Sequence, residues 1–140
     1  CGVFIHHGGW RPDYTLRLVK REKAGFTHHF LHAHMTVDGT KADLNESIIH
    51  YSYRDLDDVL EKLSRYASGN AKDLDAKGVQ GSMSKAITHG FWAFVRTWIF
   101  RAGFLDGRHG FMLAVYNAES TYYKYLKLLA LQEAREKTRH

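Results

Sequence analysis

Cysteine is nearly missing from this sequence of 140 residues: Cys1 stands alone, which excludes an internal disulfide and any cysteine-built zinc ribbon and suits a reducing compartment. No charged segment followed by an apolar run opens the chain, so no signal peptide is read. The first residue is Cys rather than Met and falls inside the strand-like run "CGVFI"; the sequence is therefore expected to be a piece of a longer polypeptide. There is no P-loop, no G-x-G-x-x-G, no G-x-S-x-G elbow and no H-E-x-x-H. Nucleic-acid modules are absent as well, and aromatic and basic residues do not alternate on one strand as stacking platforms would, so nucleic acid is not an expected partner.

What is present is a globular composition with a basic tilt. Apolar residues make up 44% and charged residues 25%, the balance of one soluble domain rather than of a disordered or membrane-embedded chain. Lys and Arg outnumber Asp and Glu by 20 to 15, which favours anionic partners without choosing among them.

Periodicity divides the chain into two parts. Across residues 14–37, "YTLRLVK" and "FTHHFLHAHMTV" alternate with period two and "KAG" can turn between them, which predicts two or three short strands. An Asp-Gly turn at residues 38–39 and the extended stretch "SIIHYSY" follow. Ser52 and Asp55 then start a capping box, and Leu56, Val59, Leu60 and Leu63 form one apolar stripe of a helix. That helix is expected to pause at "SGN" and resume through "AKDLDAK". "GVQGSMS" reads as a short linker.

"KAITHGFWAFVRTWIFRAGFL" is apolar nearly all round but carries Arg96 and Arg101, which argues against a spanning helix. Two readings stay open: a core helix hairpin with snorkelling arginines, or a helix lying in the headgroup region of an anionic membrane surface. "GFLDGRHG" marks a turn into a last helix at about residues 108–131. The expectation for this chain is α+β, with short N-terminal strands followed by three or so helices.

The candidate chemistry lies in the first part. His32 and His34, at i and i+2 on a strand, project from one face with His28 or His29 nearby, a pattern that could bind metal but is also common for half-buried strand histidines. In "GGWRPDY", Trp10 offers a flat face for a pyranose ring, Asp13 can accept from sugar hydroxyls, and Arg11 and Arg17 can hold a phosphate. A Trp-Pro turn entering a hairpin would explain the same residues.

The order "HGGWRPDYTLRLVKR", a histidine with "VDG" soon after, "IIHYSYRDLDDVLEKLSRYAS" and "FVRTWIFRAGFLDGRHGFMLAVYNAESTYYKYLKL" resembles the C-terminal part of bacterial family 2 glycosyltransferases of the lipopolysaccharide core type. The resemblance runs from about residue 7 to residue 128. It implies a parent enzyme of α/β, Rossmann-like GT-A fold that transfers a sugar, typically glucose, with inversion from a nucleotide sugar to an inner-core or related surface-glycan acceptor. Residues 1–52 would be the acceptor side of the catalytic domain, and residues 53–140 a helical region able to lie at a membrane.

The same resemblance implies a divalent metal, Mg or Mn, on the donor diphosphate. Its Asp-x-Asp motif is expected upstream of Cys1, so this chain should lack a complete donor site and be inactive alone. It implies His50 as a metal ligand and Trp10, Arg11, Asp13 and Arg17 as the acceptor border. Many relatives carry His-Glu where this sequence has His32-Ala33, and that carboxylate is the natural general base. Here the proton would pass to His34, which we favour, or to His32, Asp13 or Asp38, or activity is lost. The implied partners are a nucleotide sugar and a lipid-linked oligosaccharide, and the implied location is the cytoplasmic face of the inner membrane. A different class of function, a non-catalytic membrane-peripheral helical interaction module, would account for the helical part alone.

Overall fold

The computed structural model describes residues 3–11, 13–26, 35–44, 46 and 48–138. The fold is α+β: two short antiparallel strands, β1 (Ala24–Phe26) and β2 (Met35–Val37), precede three helices, α1 (Leu56–Ala76), α2 (Met83–Val95) and α3 (Gly107–Thr138). The ladder pairs Ala24 with Val37 and Phe26 with Met35. Alternation predicted a further strand over residues 14–20, and the strand-like start included residues 3–5; both lie outside any ladder. An alternating pattern becomes a strand only where an edge is available to pair with. "KAG", expected as a turn, instead ends a short 3-10 turn (Arg21–Lys23) and enters β1.

Helix α1 is capped three residues later than the sequence suggested. Asp55, not Ser52, is the N-cap, its carboxylate accepting from the Asp58 N–H at 2.8 Å. Asp58 accepts from the Arg54 N–H and from Lys62 Nζ, so two carboxylates answer the free amides and positive end of the first turn. The expected pause at "SGN" does not occur. Gly69 is buried within a continuous helix, flanked by the buried Ala67 and Ala71, and tertiary packing overrides the weak propensity of these residues.

Helix α3, roughly 48 Å long at 1.5 Å per residue, is the spine against which both other helices pack. Contacts from Tyr53 to Tyr116, Ser64 to Lys127 and Asp75 to Arg135 show α1 running parallel to α3. Helix α2 runs antiparallel, with Gly81 beside Leu129 and Gly90 beside Ala118. Gln132 closes the α1–α2 turn, donating to Asp75 Oδ1 and the Val79 carbonyl while its own carbonyl accepts from the Gly81 N–H.

The core is built largely of small side chains: Ala67, Ala71, Ala86, Ala93 and Ala114, with Leu63, Leu113 and Leu128. Past Val95 the helix widens into a π segment (Arg96–Phe100), closed by the Arg101 N–H on the Arg96 carbonyl. Ala102, at φ +52°, stops it, and a 3-10 turn (Gly103–Asp106) leads into α3. Gly110 is required there, because a Cβ would collide with the Gly103 carbonyl. The stretch folds as a helical hairpin with α3 whose outward apolar side chains stay exposed, and no helix among the described residues is long and apolar enough to cross a membrane.

Candidate functional site

The N-terminal segment is fixed to the helical hairpin by its "HGG" turn. Gly8 and Gly9 have φ of +70° and +88°, backbone that glycine adopts freely. The Gly8 N–H donates to the Arg101 carbonyl at 2.8 Å, and a Cβ at Gly8 would lie 2.8 Å from Leu113 Cδ2. One carboxylate completes the clamp: Asp106 accepts from the backbone N–H groups of His6 (3.1 Å) and His7 (2.7 Å), and its other oxygen lies 3.0 Å from His7 Nδ1. Burial alone would push the Asp106 carboxyl up, but the His7 ring and the two backbone donors outweigh it and hold the carboxyl below the usual carboxylate range.

The clamp delivers Trp10 to an aromatic stack. Trp10 lies against Tyr53 with ring centroids 6.0 Å apart, and Tyr53 meets Tyr116 edge-on at 5.8 Å. The Tyr53 hydroxyl donates to Tyr116 Oη at 3.0 Å. Burial, reinforced by that hydrogen bond, raises the Tyr53 hydroxyl well above its ordinary pKa, so it stays a neutral donor. Lys62 sits 5.0 Å from the Tyr53 ring centroid and donates to the Ser52 carbonyl and to Asp58, both at 2.8 Å. The Lys62 ammonium and the Arg54 N–H together hold Asp58 below its ordinary value.

Beside this stack runs an open groove of about 2530 Å³ between the extended N-terminal segment and the α1 and α3 faces. It is larger than the pockets that hold single small ligands, roughly 300–1,000 Å³. Trp10, Arg11, Asp13, Arg17 and His50 are all among the residues that line it, so the folded chain places five of the sequence-predicted residues around one groove. Arg11, Asp13 and Arg17 are exposed on it and Trp10 is half-buried. Asp38, exposed just after β2, does not line the groove. His32 and His34, with His28, His29 and Ala33, lie outside the described residues.

His50 is exposed, with its Nδ1 3.4 Å from Ser52 Oγ. Among the described residues no group of three His, Cys, Asp or Glu side chains is placed to hold a metal ion. Asp-x-Asp triplets do occur in this chain, at Asp55–Asp57 and Asp73–Asp75. Both serve helix α1: Asp55 caps it, and Asp75 pairs with Arg135 and Gln132 of α3.

The residues that sequence reasoning missed are His7, Asp106, Tyr53 and Tyr116. The clamp joins positions 99 residues apart, a separation that no local spacing reports. The only local signals were the "HGG" and "LDG" turns at its two ends.

The chain is 29% identical over 97 residues to an uncharacterized glycosyltransferase of Rickettsia conorii, and 30% identical over 97 residues to proteins of the same description in Rickettsia felis and Rickettsia typhi. Each match takes in 69% of this chain and 32–33% of the relative, so the chain spans about a third of the length of the curated relatives it matches. No family model matches the sequence, and no solved structure matches the fold. By this likeness, over about two thirds of its length, the chain is related to proteins described as glycosyltransferases.

Proposed function

We propose that this chain is the acceptor-side and C-terminal helical part of an inverting, nucleotide-sugar-dependent glycosyltransferase of the GT-A, family 2 kind, acting on a lipopolysaccharide inner-core or related surface-glycan acceptor, with glucose as the sugar. The observation that carries the reading is that Trp10, Arg11, Asp13, Arg17 and His50 all line one open groove; the likeness to proteins described as glycosyltransferases supports it.

Each residue then has a physical task. Trp10, braced from behind by Tyr53, presents apolar ring surface to a pyranose. Arg11 and Arg17 hold phosphate on a core sugar, Arg17 through a two-point fork. A base takes the proton of the acceptor hydroxyl as its oxygen attacks the anomeric carbon and the nucleoside diphosphate leaves from the opposite face. His34, outside the described residues, is the favoured base; Asp13, which lines the groove, is the alternative.

In such an enzyme a divalent metal neutralises the leaving diphosphate. The described residues do not by themselves form that site. His50 would be this chain's single contribution to it, and no step is drawn through the metal.

The test is acceptor binding followed by tryptophan fluorescence, with Trp10→Phe to identify the Trp10 signal, or by NMR, using a phosphorylated, heptose-containing core oligosaccharide. Saturable binding that Arg17→Ala weakens on the order of tenfold is expected, with no turnover of nucleotide sugar by this chain alone. Absence of binding at saturating oligosaccharide would overturn the reading and leave the non-catalytic helical module in its place.

A further inference from the structure

Helix α2 is turned inside out for a helix in water. Its face toward α3 is made of Ala86, Gly90, Ala93 and, one turn on, Thr97, all buried. A Cβ on Gly90 would sit 3.2 Å from the Ala118 carbonyl. Phe94 and Trp98 pack half-buried against Phe111 of α3, but most of the other large apolar side chains are exposed. Met83, Ile87 and Phe91 follow one another at four-residue spacing, then come Trp92, Ile99 and Phe100, with Phe91 and Phe100 each 69% exposed. Phe104 and Leu105 extend the same exposed character past the turn. None of the α2 residues lines the groove, so this apolar surface is separate from the one that carries Trp10 and Arg17.

Small residues where helices meet and large apolar residues outside is the arrangement that suits acyl chains rather than water. The charge pattern is an independent observation. Between residues 83 and 118 there are four cations, Lys85, Arg96, Arg101 and Arg108, and one acid, Asp106. That acid is turned inward onto His6 and His7. Arg96, Arg101 and Arg108 are exposed, and among the described residues no carboxylate pairs with them. The surface is thus apolar and aromatic in its middle, cationic at its borders and lacking exposed negative charge. A segment too short and too charged to cross a bilayer can still lie in its interface.

We propose that the outward face of α2, continued through the π segment to Leu105, docks on an anionic phospholipid leaflet, with Phe91, Trp92 and Phe100 at the headgroup–acyl boundary and Arg96 and Arg108 among the phosphates. The inference goes beyond sugar transfer and does not need it. The acceptor titration and the membrane experiment read different surfaces, so either can fail alone.

The test is flotation of the chain with vesicles of phosphatidylcholine, or of phosphatidylcholine with roughly a third phosphatidylglycerol. At least ~tenfold tighter binding to the anionic vesicles, weakened by salt, is expected. The pair Phe91→Ser and Phe100→Ser should lower that binding on the order of tenfold with helical circular dichroism unchanged. Arg96→Gln with Arg108→Gln should remove the preference for anionic lipid and leave residual binding to both vesicles. The proposal is overturned if the folded chain binds neither vesicle, or binds both equally with no response to the phenylalanine pair. It is also overturned if sedimentation velocity shows a dimer that the phenylalanine pair dissolves while no vesicle is bound, in which case a second copy covers this face.

Discussion

Among the described residues of 3–53, Gly8 is the only buried position, whereas the helices beyond residue 55 bury Leu63, Leu113, Leu128 and a run of alanines. The helical part is held by close apolar packing, and the N-terminal part by a few discrete contacts: the Asp106 clamp, the Gly8 hydrogen bond, the Trp10–Tyr53–Tyr116 stack and a three-residue ladder. Every described candidate groove residue lies on the part with almost no core of its own. Their positions are set by α1 and α3, so site geometry and fold stability should respond to different substitutions.

The largest effect should come from the scaffold. Leu128 is fully buried, and Leu128→Ala should cost about 3 kcal/mol, read as a lower thermal midpoint in which the helices and the groove are lost together. Next comes Gly8→Ala, which forces a Cβ into φ +70° and against Leu113. About 1–2 kcal/mol of strain should fall on the docking of the N-terminal segment, seen as faster proteolysis between residues 13 and 26 with an unchanged helical melt. If the helical melt moved equally, the two parts would be one cooperative unit and the comparison would fail.

A pH titration sharpens the same contrast. The Asp106 carboxyl is depressed below its unfolded value of about 3.9, so its contribution is complete above roughly pH 4 and fades as pH falls through the folded value. Amide exchange at His6 and His7 should accelerate in that acid window, and Asp106→Asn should remove the transition. The smallest effect belongs to the outward face of α2: Phe91→Ser should change stability by less than about 0.5 kcal/mol, whatever it does to lipid binding. A large loss would mean that this face is packed in the folded chain.

Much of the α+β outline was readable because the Leu56–Leu63 stripe and the glycine-bounded turns obey local rules. Local rules also misled. Ser52 precedes a good capping partner, yet Asp55 caps, because Asp58 is free to bind Arg54 and Lys62. "SGN" looked like a break, but Gly69 is buried in a continuous helix. The π segment at Arg96–Phe100 depends on how α2 must meet the start of α3, and no residue pattern announces it. Trp10, Arg11, Asp13, Arg17 and His50 could be chosen from sequence as candidates, but that they line one groove follows from long-range contacts such as the Asp106 clamp, whose ends are distant in the chain.

That clamp also gives the chain a mechanical character. Tension applied at residue 3 reaches a carboxylate gripping two successive amides, with a third hydrogen bond from Gly8 to Arg101 immediately behind it. The pull would load these bonds side by side and pass into the start of α3 before straining β1, β2 or the segment that carries Arg17. Residues 10–17 of the groove lining are thereby insulated from a pull on the segment before them, although Val3 to His6, which also line the groove, are not, and the stiff element that receives the load is the longest helix among the described residues.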